Sequence, residues 1–550
     1  MTEAERPREG RRHSGFRRPW SFWLGIAAVT GGVLLHLPMF ISARDDGYVL
    51  HGMGFDVWMI IGMVLIACGY VAILYGIAPR FGREQAVASN AVEFRALDAS
   101  RLRGAHIGLM IALVFGIAVD TQKPFTFTFI LPGVASEYDL KSPTHPAPGH
   151  WPVALLPLAG ILGTVLGSLI WGHLGDRIGR RASLLLAASV FIGTAMCGVM
   201  PEFWQNLVAC FVMGLGAGGL LPIAYSLLTE MIPVRRRGEV VVLVAGVGTA
   251  LGFLFASWGS DWLIPHFGWR IMWLLGIPTG LALIVLNRWI PESPRFLLAN
   301  GRRSEAHAVM RSFGIVMSER PAEEDSVPAV AEEARPSIAS LFRQPYGGLT
   351  VTLAAYGLAW GLVNFGFLVW LPLHVANMGV SAGDVTTILA KAALFSIPGS
   401  LVVSWFYGRW SSRGTLILAA AFEAAVLAVF AAWGTAVVKH TTLFTALIVV
   451  LLVSMWATIS VLAPYAAEVY PTRVRAGGSG IAAGASKLGG VAALSIAVAS
   501  LAPPSLSGAA LLGAIPAALA ALMLLAFGVE TRGRRLEEIK PATASAKAGA

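Results

Sequence analysis

The stretch TEMIPVRRRG at residues 229–238 decides the fold, because AEVYPTRVRAGG at residues 467–478 repeats its pattern 238 residues later. The same offset links PESPRFL at 291–297 with VETRGRRLEEI at 529–539. The corresponding residues are Glu230 and Glu468, Pro233 and Pro471, Arg237 and Arg475, Glu292 and Glu530, and Ser293 and Thr531. Several matches at one offset, each after an apolar run, indicate two halves related by duplication.

The composition requires lipid as the main solvent of the chain. Of the 550 residues, 56% are hydrophobic and 13% are charged, a balance that would hardly keep a protein of this length dissolved in water. About twenty apolar residues cross a hydrocarbon core of about 30 Å. On that basis about fourteen spans are predicted, at residues 20–42, 55–78, 106–133, 152–173, 183–200, 205–229, 239–259, 269–290, 350–374, 386–407, 415–434, 441–466, 477–500 and 508–528.

The predicted fold class is an all-α polytopic membrane protein with two six-helix pseudo-repeats, preceded by a two-helix hairpin that lies outside the repeat. The predicted segments are a basic tail (1–19), the hairpin and its linker (20–105), the N-terminal half (106–298), a central loop (299–346), the C-terminal half (347–528) and a second tail (529–550). Within the central loop, NGRRSEAHAVMRSFG is typical of a helix and the acidic, Pro-rich stretch after it of a flexible connector. The hairpin carries His36 and Asp56, and two roles remain open for it, docking a partner or anchoring the chain.

The distribution of positive charge predicts the orientation. Seven of the 41 Lys and Arg lie within spans or in loops on the outer side, which leaves 34 for the inner side. The seven are Lys123, Arg270, Lys391 and Lys487 in spans, and Arg44, Lys141 and Lys439 in outer loops. Because positive residues accumulate on the cytoplasmic side, we expect a multi-pass protein of the cell membrane with both termini in the cytoplasm. The basic charge is then a topology signal, so no nucleic-acid partner is expected, and the lipid bilayer is the main partner of a chain expected to be a monomer.

The loop motifs resemble a known family. GHLGDRIGRR at 172–181 resembles the cytoplasmic loop signature of the major facilitator superfamily, and the repeated motifs above resemble its sugar-porter and metabolite-porter branch. The resemblance covers residues from about 106 to 540 and implies a twelve-helix core with a conformational latch at its cytoplasmic face. The latch candidates are Gly172, Gly175, Asp176, Arg177, Gly179, Arg180, Arg181, Glu230, Arg237, Glu292, Arg295, Glu468, Arg475 and Glu530. The chain departs from the family pattern at Cys210, which replaces an arginine of the fourth core helix.

Ionisable residues inside the predicted spans are candidates for proton coupling, because such groups are costly in lipid and are usually functional. The first core helix contains AVDTQKPFTF, which places Asp120 and Lys123 three residues apart on one face. The resemblance implies that an aspartate on this helix takes part in proton coupling, so Asp120 is the first candidate. Glu423, in the middle of the ninth core helix, is the second.

Cationic and aromatic side chains supply the candidates for substrate binding. Lys123, Lys391 and Lys487 would suit a carboxylate, and Gln122 lies in the same stretch as Lys123. The resemblance also implies a cavity lined by core helices one, four, seven and ten. The candidates on those helices are Tyr225, Trp360, Asn364, Trp456 and Ser460, which offer stacking faces and hydrogen bonds.

The predicted function is secondary active transport of a small organic solute, an organic acid or a sugar-like metabolite. Parallel repeats build carriers whose halves rock around a central site, and the chain contains no G-x-x-x-x-G-K-[ST] motif of an ATP-driven pump. No cofactor and no enzymatic activity are expected, and a proton gradient is the expected energy source. The alternatives are a transporter-like receptor or sensor, and a uniporter or exporter without proton coupling.

Overall fold

The computed structural model describes most of the chain. The described residues are 18–54, 56–78, 92–96, 102–142, 151–233, 236–319, 341–343, 345–470, 474–499 and 505–532. Within these ranges, the side chains of residues 92–96, 172, 173, 176, 315–319, 382, 475 and 476 are not described. Nothing is therefore said of the side chains at the latch candidates Gly172, Asp176 and Arg475, and the acidic connector predicted after residue 319 lies outside the described residues.

Two antiparallel helices form the hairpin, and glycines set their distance. The two long helices are α1 (Pro19–Leu34) and α3 (Val57–Ile77), and the short helix α2 (Leu37–Ser42) lies between them. A Cβ atom on Gly32 of α1 would lie 2.6 Å from the carbonyl oxygen of Gly62 on α3, and a Cβ on Gly25 would lie 2.6 Å from that of Gly69. Each glycine pair repeats after seven residues, so the two backbones pack closely along one continuous seam.

The helices of the two halves follow in the predicted order. The N-terminal half contains α4 (Gly104–Glu137), α5 (Leu155–Ile178), α6 (Arg180–Gly193), α7 (Phe203–Met231), α8 (Arg237–Phe267), α9 (Ile271–Leu274) and α10 (Gly276–Leu286), with 3₁₀ segments at Thr194–Val199 and Asn287–Trp289. Two short helices of the central loop follow, α11 (Pro294–Ala299) and α12 (Arg303–Phe313). The C-terminal half contains α13 (Gly347–Val363), α14 (Leu371–Ala376), α15 (Ala382–Trp405), α16 (Ser412–Lys439), α17 (Thr441–Val469), α18 (Arg475–Val498) and α19 (Leu506–Phe527), with π-helical segments at Asn364–Leu368 and Phe406–Trp410.

Membrane-length helices account for most of the described chain. Thirteen of its helical segments are long and apolar enough to span a bilayer, and Leu155–Trp171 is a shorter apolar helix. The protein is thus a multi-pass membrane protein, and the prediction of about fourteen helices agrees with this count. The helix predicted in the central loop is α12.

One small sheet departs from the all-α prediction. Strand β1 (Val92–Ala96) lies in the linker after the hairpin and pairs antiparallel with β2 (Ile315–Glu319), which follows α12. Phe94 is opposite Met317 in the register. Close by, the Arg103 side chain donates to the carbonyl oxygen of Arg311 over 2.8 Å. The hairpin linker is therefore attached to the central loop.

A buried ion pair ties the hairpin to the first core helix. Glu137, at the end of α4, accepts hydrogen bonds from the backbone N–H groups of Leu50 (2.8 Å) and His51 (3.1 Å), which follow α2. The guanidinium of Arg270 lies 2.6 Å from the same carboxylate, and its side chain is completely buried. A second nitrogen of Arg270 donates to the carbonyl oxygen of Met200 over 2.8 Å. This cluster marks what we call the far end of the bundle.

The opposite end of the bundle is called the basic end. It contains the Ile178–Arg180 junction of α5 and α6 and the carboxyl ends of α7 and α17. At the far end the halves are packed together, because Phe125 and Phe129 of α4 share one apolar cluster with Phe367 and Leu371. A hydrogen bond of 2.6 Å from Thr387 of α15 to Asp261 of α8 adds a polar contact there.

Candidate functional site

Asp120 and Lys487 bring opposite charges together from the two halves. Asp120 is 3% exposed on α4, and it interacts electrostatically with Lys487 of α18. Tyr225 of α7 is the third member of this group, since its hydroxyl also interacts electrostatically with Asp120. Pro124 lies four residues after Asp120 inside the helix and cannot donate to the carbonyl of Asp120. The group therefore combines an acid, a base, a phenol and a freed backbone carbonyl at the interface between the halves.

Lys123 lies in a different environment from Asp120, although only three residues separate them. Its Nζ atom would be 2.9 Å from a Cβ on Gly276 of α10, and it interacts electrostatically with Cys197. The thiol of Cys197 in turn contacts that of Cys210, the residue that replaces the family arginine. Three residues separate the two side chains by only about 60° around the helix, but their contacts differ: Asp120 meets Lys487 of α18, whereas Lys123 meets α10 and Cys197 inside the N-terminal half. Asp120 and Lys123, which are predicted to share one face, therefore have different surroundings.

Several buried polar atoms on α4, α13, the π segment after it and α17 have no hydrogen-bond partner within the described residues. They are Asp120 Oδ1 and Gln122 Oε1 on α4, Trp360 Nε1 on α13, Asn364 Oδ1 in the π segment after it, and Trp456 Nε1 on α17. Trp360 and Asn364 are four residues apart and share one face of their helix. Because buried polar groups in native proteins almost always find partners, these donors and acceptors are available to a bound molecule or to water.

Aromatic rings form one wall beside these atoms. The ring of Trp456 lies 5.9 Å from that of Phe253 on α8, and Phe253 lies 5.0 Å from Phe125. Ser460, one turn after Trp456, has its hydroxyl oxygen 3.7 Å from the position of a Cβ on Gly246 of α8. The two candidates on α17 therefore face α8, across the boundary between the halves.

Lys391 does not join this group. It is exposed on α15 and shares a face with the exposed residues Phe395 and Val402. The face of α15 that contacts α8 carries Ser400 and Ser404 instead. Lys391 thus lies on the outer surface of the helix.

One face of α18 shows where the interface is open. Gly480, Gly484, Lys487 and Leu494 follow one another on this face at intervals of four, three and seven residues. Leu494, towards the far end, is completely buried in the cluster that contains Ile161 of α5. A Cβ placed on Gly484 or Gly480, towards the basic end, would meet no heavy atom within 4 Å. The space beside Lys487 is therefore closed towards the far end and open towards the basic end.

Two hydrogen-bonded clusters at the basic end repeat the 238-residue offset of the sequence. In the N-terminal half the hydroxyl of Ser293 donates to Glu230, and Glu292 accepts from the backbone N–H of Arg180 over 2.7 Å. The C-terminal half repeats both contacts. There Thr531 donates to Glu468 over 2.6 Å, and Glu530 accepts from the backbone N–H of Ser412 over 3.0 Å. Each cluster joins helices within its own half.

The other latch candidates surround these clusters. Gly179 has a φ of +97°, which a side chain would strain, and a Cβ there would lie 2.5 Å from Glu292 Oε2. Arg180 donates to the carbonyl oxygen of Gly175 over 2.9 Å, and Arg181 interacts electrostatically with Glu292. Arg237 interacts with Glu468 across the two halves, whereas Arg177 and Arg295 are exposed.

The two corresponding glutamates differ in their pKa values. Burial raises the pKa of Glu292, and the backbone N–H groups of Ser293, Arg180 and Arg181 offset this only in part. Burial also acts on Glu530, but hydrogen bonds from Ser411 and Ser412 outweigh it and lower the pKa of Glu530 below its ordinary value. The pKa values of the two corresponding carboxyl groups are therefore shifted in opposite directions.

Some contacts of these sites were missed by the sequence reasoning. Ser293 and Thr531 were recognised as corresponding residues, but their bonds to Glu230 and Glu468 were not. The side chain of Thr458, which contacts the coupling candidate Glu423 over 2.9 Å, was also missed. A hydroxyl residue on an apolar helix gives no signal of its own in a single sequence. Glu423 itself lies between α16 and α17, apart from the Asp120 group.

Comparison with known proteins places these features in a family. The model of the Major Facilitator Superfamily matches residues 108–494. The niacin transporter NiaP of Acinetobacter baylyi is 27% identical over 442 residues, which cover 79% of this chain and 96% of that protein. The 4-hydroxybenzoate transporter PcaK of the same organism is 28% identical over 388 residues, covering 69% and 80%.

A solved structure shares the fold. The proton:xylose symporter XylE, bound to 6-bromo-6-deoxy-D-glucose, aligns with a TM-score of 0.60 at 17% identity, covering 79% of this chain and 98% of that one. The family match extends from α4 into α18, and the relatives are transporters rather than enzymes. The chain therefore belongs to the major facilitator superfamily and is a membrane transporter of small organic solutes.

Proposed function

We propose that the protein carries a small aromatic or heteroaromatic carboxylate across the cell membrane by alternating access, coupled to a proton at Asp120. The relatives named for niacin and 4-hydroxybenzoate support the solute class, since both compounds are ring carboxylic acids. The observation that carries the proposal is the Asp120–Lys487 pair, because it joins a proton acceptor of one half to a cation of the other.

The coupling follows from competition for Lys487. A substrate carboxylate needs a cationic partner when it leaves water, and in this structure the Lys487 ammonium interacts with the Asp120 carboxylate. Protonation of Asp120 neutralises that carboxylate and leaves Lys487 to the substrate. The substrate and the proton therefore bind together.

The unpartnered polar atoms supply the remaining contacts. The Nε1–H groups of Trp360 and Trp456 donate to a ring nitrogen or a ring hydroxyl, and Asn364 Oδ1 accepts from a hydroxyl. The aromatic side chains around Trp456 provide apolar surface for a planar ring. An open-chain sugar acid would leave this surface without a partner, so a ring carboxylate fits better.

The orientation follows from the charge distribution of the loops. We place the basic end and both termini in the cytoplasm, as the positive-inside rule predicts. The structure is then the state that opens to the cytoplasm, with α4 and α5 closed against the C-terminal half on the outer side. The clusters at Glu230 and Glu468 stiffen the cytoplasmic ends of each half and serve as the latch.

Uptake into proteoliposomes tests the proposal. The labelled solutes are nicotinate and 4-hydroxybenzoate, supplied with and without an acidic outer medium. We expect the acid gradient to stimulate uptake by the wild type and by the matched control Asp45→Asn, which removes an exposed loop carboxylate. Asp120→Asn should lose the stimulation.

Three results would contradict the proposal. Uptake by the wild type that is indifferent to the gradient would exclude coupling. Equal stimulation of Asp120→Asn would exclude Asp120 as the proton site. Binding of the solutes without any flux would instead assign the protein to transporter-like receptors.

A further inference from the structure

Glu423 is buried in the C-terminal half without a cation among the described residues around it. It is 1% exposed and lies in the middle of α16, which packs against α17 and α19. From α17 it meets Thr458, and Tyr356 of α13 completes its surroundings. Helix α19 contains no ionisable residue, and on α17 the nearest ones, Tyr465 and Glu468, lie two turns or more from Thr458.

On its own helix, Glu423 is also far from positive charge. Arg413 is ten residues away and donates to the backbone at the end of α19. Lys439 is sixteen residues away in the other direction and is exposed. At a rise of 1.5 Å per residue, both lie about 15 Å or more from Glu423. A carboxylate at this position would therefore be an uncompensated charge in a lipid-surrounded bundle, which is strongly unfavourable.

The hydrogen bonds around Thr458 leave room for a proton on Glu423. The Thr458 hydroxyl lies 2.9 Å from Glu423 Oε2 and also 2.9 Å from the carbonyl oxygen of Ser454. A hydroxyl has one proton to donate and accepts with its lone pairs. The Ser454 carbonyl can only accept, so the Thr458 proton belongs to that bond.

The bond between Thr458 and Glu423 then needs its proton from Glu423. A protonated Oε2 donates to Thr458, and the Tyr356 hydroxyl, which lies beside Thr458, donates to the carbonyl oxygen of Leu416 over 3.4 Å. The second oxygen, Oε1, has no partner among the described residues. An uncharged acid tolerates one unpartnered oxygen far better than a carboxylate does.

From this arrangement we infer that Glu423 is a second proton-binding site, separate from Asp120, and that its proton joins α16 to α17. Helix α17 also carries Trp456 and Ser460, which lie within one turn of Thr458. When the Oε2–H bond breaks, the proton passes to water and the electron pair stays on the carboxylate. The donor to Thr458 is then lost and a buried charge appears. Helix α17, which carries Trp456 and Ser460, thereby loses its hydrogen bond to α16.

This inference rests on the proposed function only for its effect on transport, and proton binding can be tested without it. Infrared spectroscopy of the purified protein separates the C=O stretch of a protonated carboxyl group from the bands of a carboxylate. We expect a protonated-carboxyl band near neutral pH that is lost in Glu423→Gln and kept in Asp120→Asn. The amide of the Gln variant still donates to Thr458, so this variant is expected to fold. Identical spectra of the wild type and Glu423→Gln would overturn the inference.

A matched pair on α17 tests the contact itself. Thr458→Val removes the hydroxyl that accepts the hydrogen bond from Glu423. Thr445→Val is the control, because it removes an exposed hydroxyl that donates to the carbonyl of Thr441, four residues earlier, as Thr458 does to Ser454. We expect the carboxyl band to shift in Thr458→Val and to stay in place in Thr445→Val. Equal spectra of the two variants would overturn the contact.

Transport gives the functional readout. As the pH rises from about 6 to about 9, buried carboxyl groups lose their protons, and wild-type exchange of substrate for substrate should fall about tenfold. Glu423→Gln should fall less than the wild type across this range, because Asp120 is then the only one of the two proposed proton sites that can still ionise. An identical alkaline decline in both proteins would overturn the role in transport. Absence of any exchange in the wild type would instead count against the proposed function and leave the infrared result as the test of the proton site.

Discussion

At the scale of single residues, the role of a charged contact depends on whether its two side chains come from different halves of the protein or from the same half. Asp120 and Lys487 come from different halves, so any movement between the halves changes the distance between them. Lys123 and Cys197 both belong to the N-terminal half and move together. A charged pair that reports the relative position of the halves is suited to coupling, whereas a contact within one half is suited to stabilising it.

Replacing Lys487 should weaken the binding of carboxylate substrates specifically. A hydrogen bond to a charged group contributes about 1.5–3 kcal/mol, so Lys487→Met should raise the KM for nicotinate about 10–100-fold. Binding of the uncharged nicotinamide should change by no more than about twofold, because it needs no cation. Uptake kinetics and competition measurements check both values.

Lys391→Met is the matched control for this experiment, because Lys391 is an intramembrane lysine on the outer surface of α15. It should leave the KM within about twofold of the wild type, as exposed positions usually do. An equal loss in both variants would mean that Lys487 acts through the net charge of the protein and not through contact with the substrate.

The sequence identified the ionisable residues within the spans but not their partners. Hydropathy is a local property, so Asp120, Lys123, Lys391 and Lys487 could all be recognised as unusual. Which way each side chain faces depends on how its helix is rotated against its neighbours. That rotation places Lys391 on the outer surface and decides which neighbours Asp120 and Lys123 each meet, and it cannot be read from a single sequence.

At the scale of elements, the hairpin seam depends on glycines that no alanine can replace. A Cβ on Gly32 would lie 2.6 Å from the Gly62 carbonyl oxygen, while the nearest atom to a Cβ on Gly31 would be 3.8 Å away. We expect Gly32→Ala to destabilise the protein by about 1–3 kcal/mol, the usual cost of overpacking. Gly31→Ala should have little effect. Thermal unfolding in detergent measures the difference, and equal melting temperatures of the two variants would contradict the close packing of α1 and α3.

The two corresponding glutamates at the basic end predict opposite pH dependences of stability. The pKa of Glu530 is lowered, so its ionised form stabilises the folded protein above the ordinary value of about 4.3, and this stabilisation is lost as the pH falls through the lowered pKa. The pKa of Glu292 is raised, so its contribution is present at low pH and is lost as the pH rises through the raised pKa.

Substitution by Gln separates the two cases. The stability difference between the wild type and Glu530→Gln should shrink below about pH 4.5. The wild type should instead lose stability relative to Glu292→Gln as the pH rises above that value. Melting temperatures across a pH series provide the measurement. Parallel pH profiles for the two variants would show that the halves do not differ in this way.

Elements formed by local pattern were predicted better than elements formed by distant pairing. The spans and α12 follow from hydropathy and helical periodicity. The pairing of β1 with β2 joins residues 92–96 to residues 315–319, and neither strand is marked by an alternating pattern long enough to reveal the other. The π segment at Asn364–Leu368 likewise follows from packing around α13.

At the scale of the whole molecule, one interface is closed at one end and open at the other. Along α18 the same helical face passes from buried Leu494 to unobstructed Gly484. We expect a cysteine at position 484 to react with a membrane-impermeant maleimide at least about tenfold faster than a cysteine at position 494, since reaction requires exposure to water. The reagent should be effective only from the side of the basic end.

The labelling experiment uses a background without the three native cysteines. In this background, Gly484→Cys and Leu494→Cys differ only in their position along one face. Equal rates, or faster labelling of Leu494→Cys, would show that the protein in solution rests in a different conformation. Addition of substrate should slow the labelling at 484 if the halves close around it.

The pairing of Asp120 with Lys487 also determines how the transporter responds to membrane voltage. The empty pair has no net charge. The loaded site, with neutral Asp120, cationic Lys487 and a monovalent anion, has none either. Movement of either form through the membrane field requires little electrical work, in contrast to about 2.3 kcal/mol per charge at 100 mV. A potassium diffusion potential should then leave the uptake unchanged, and accumulation of the solute would follow the pH difference alone.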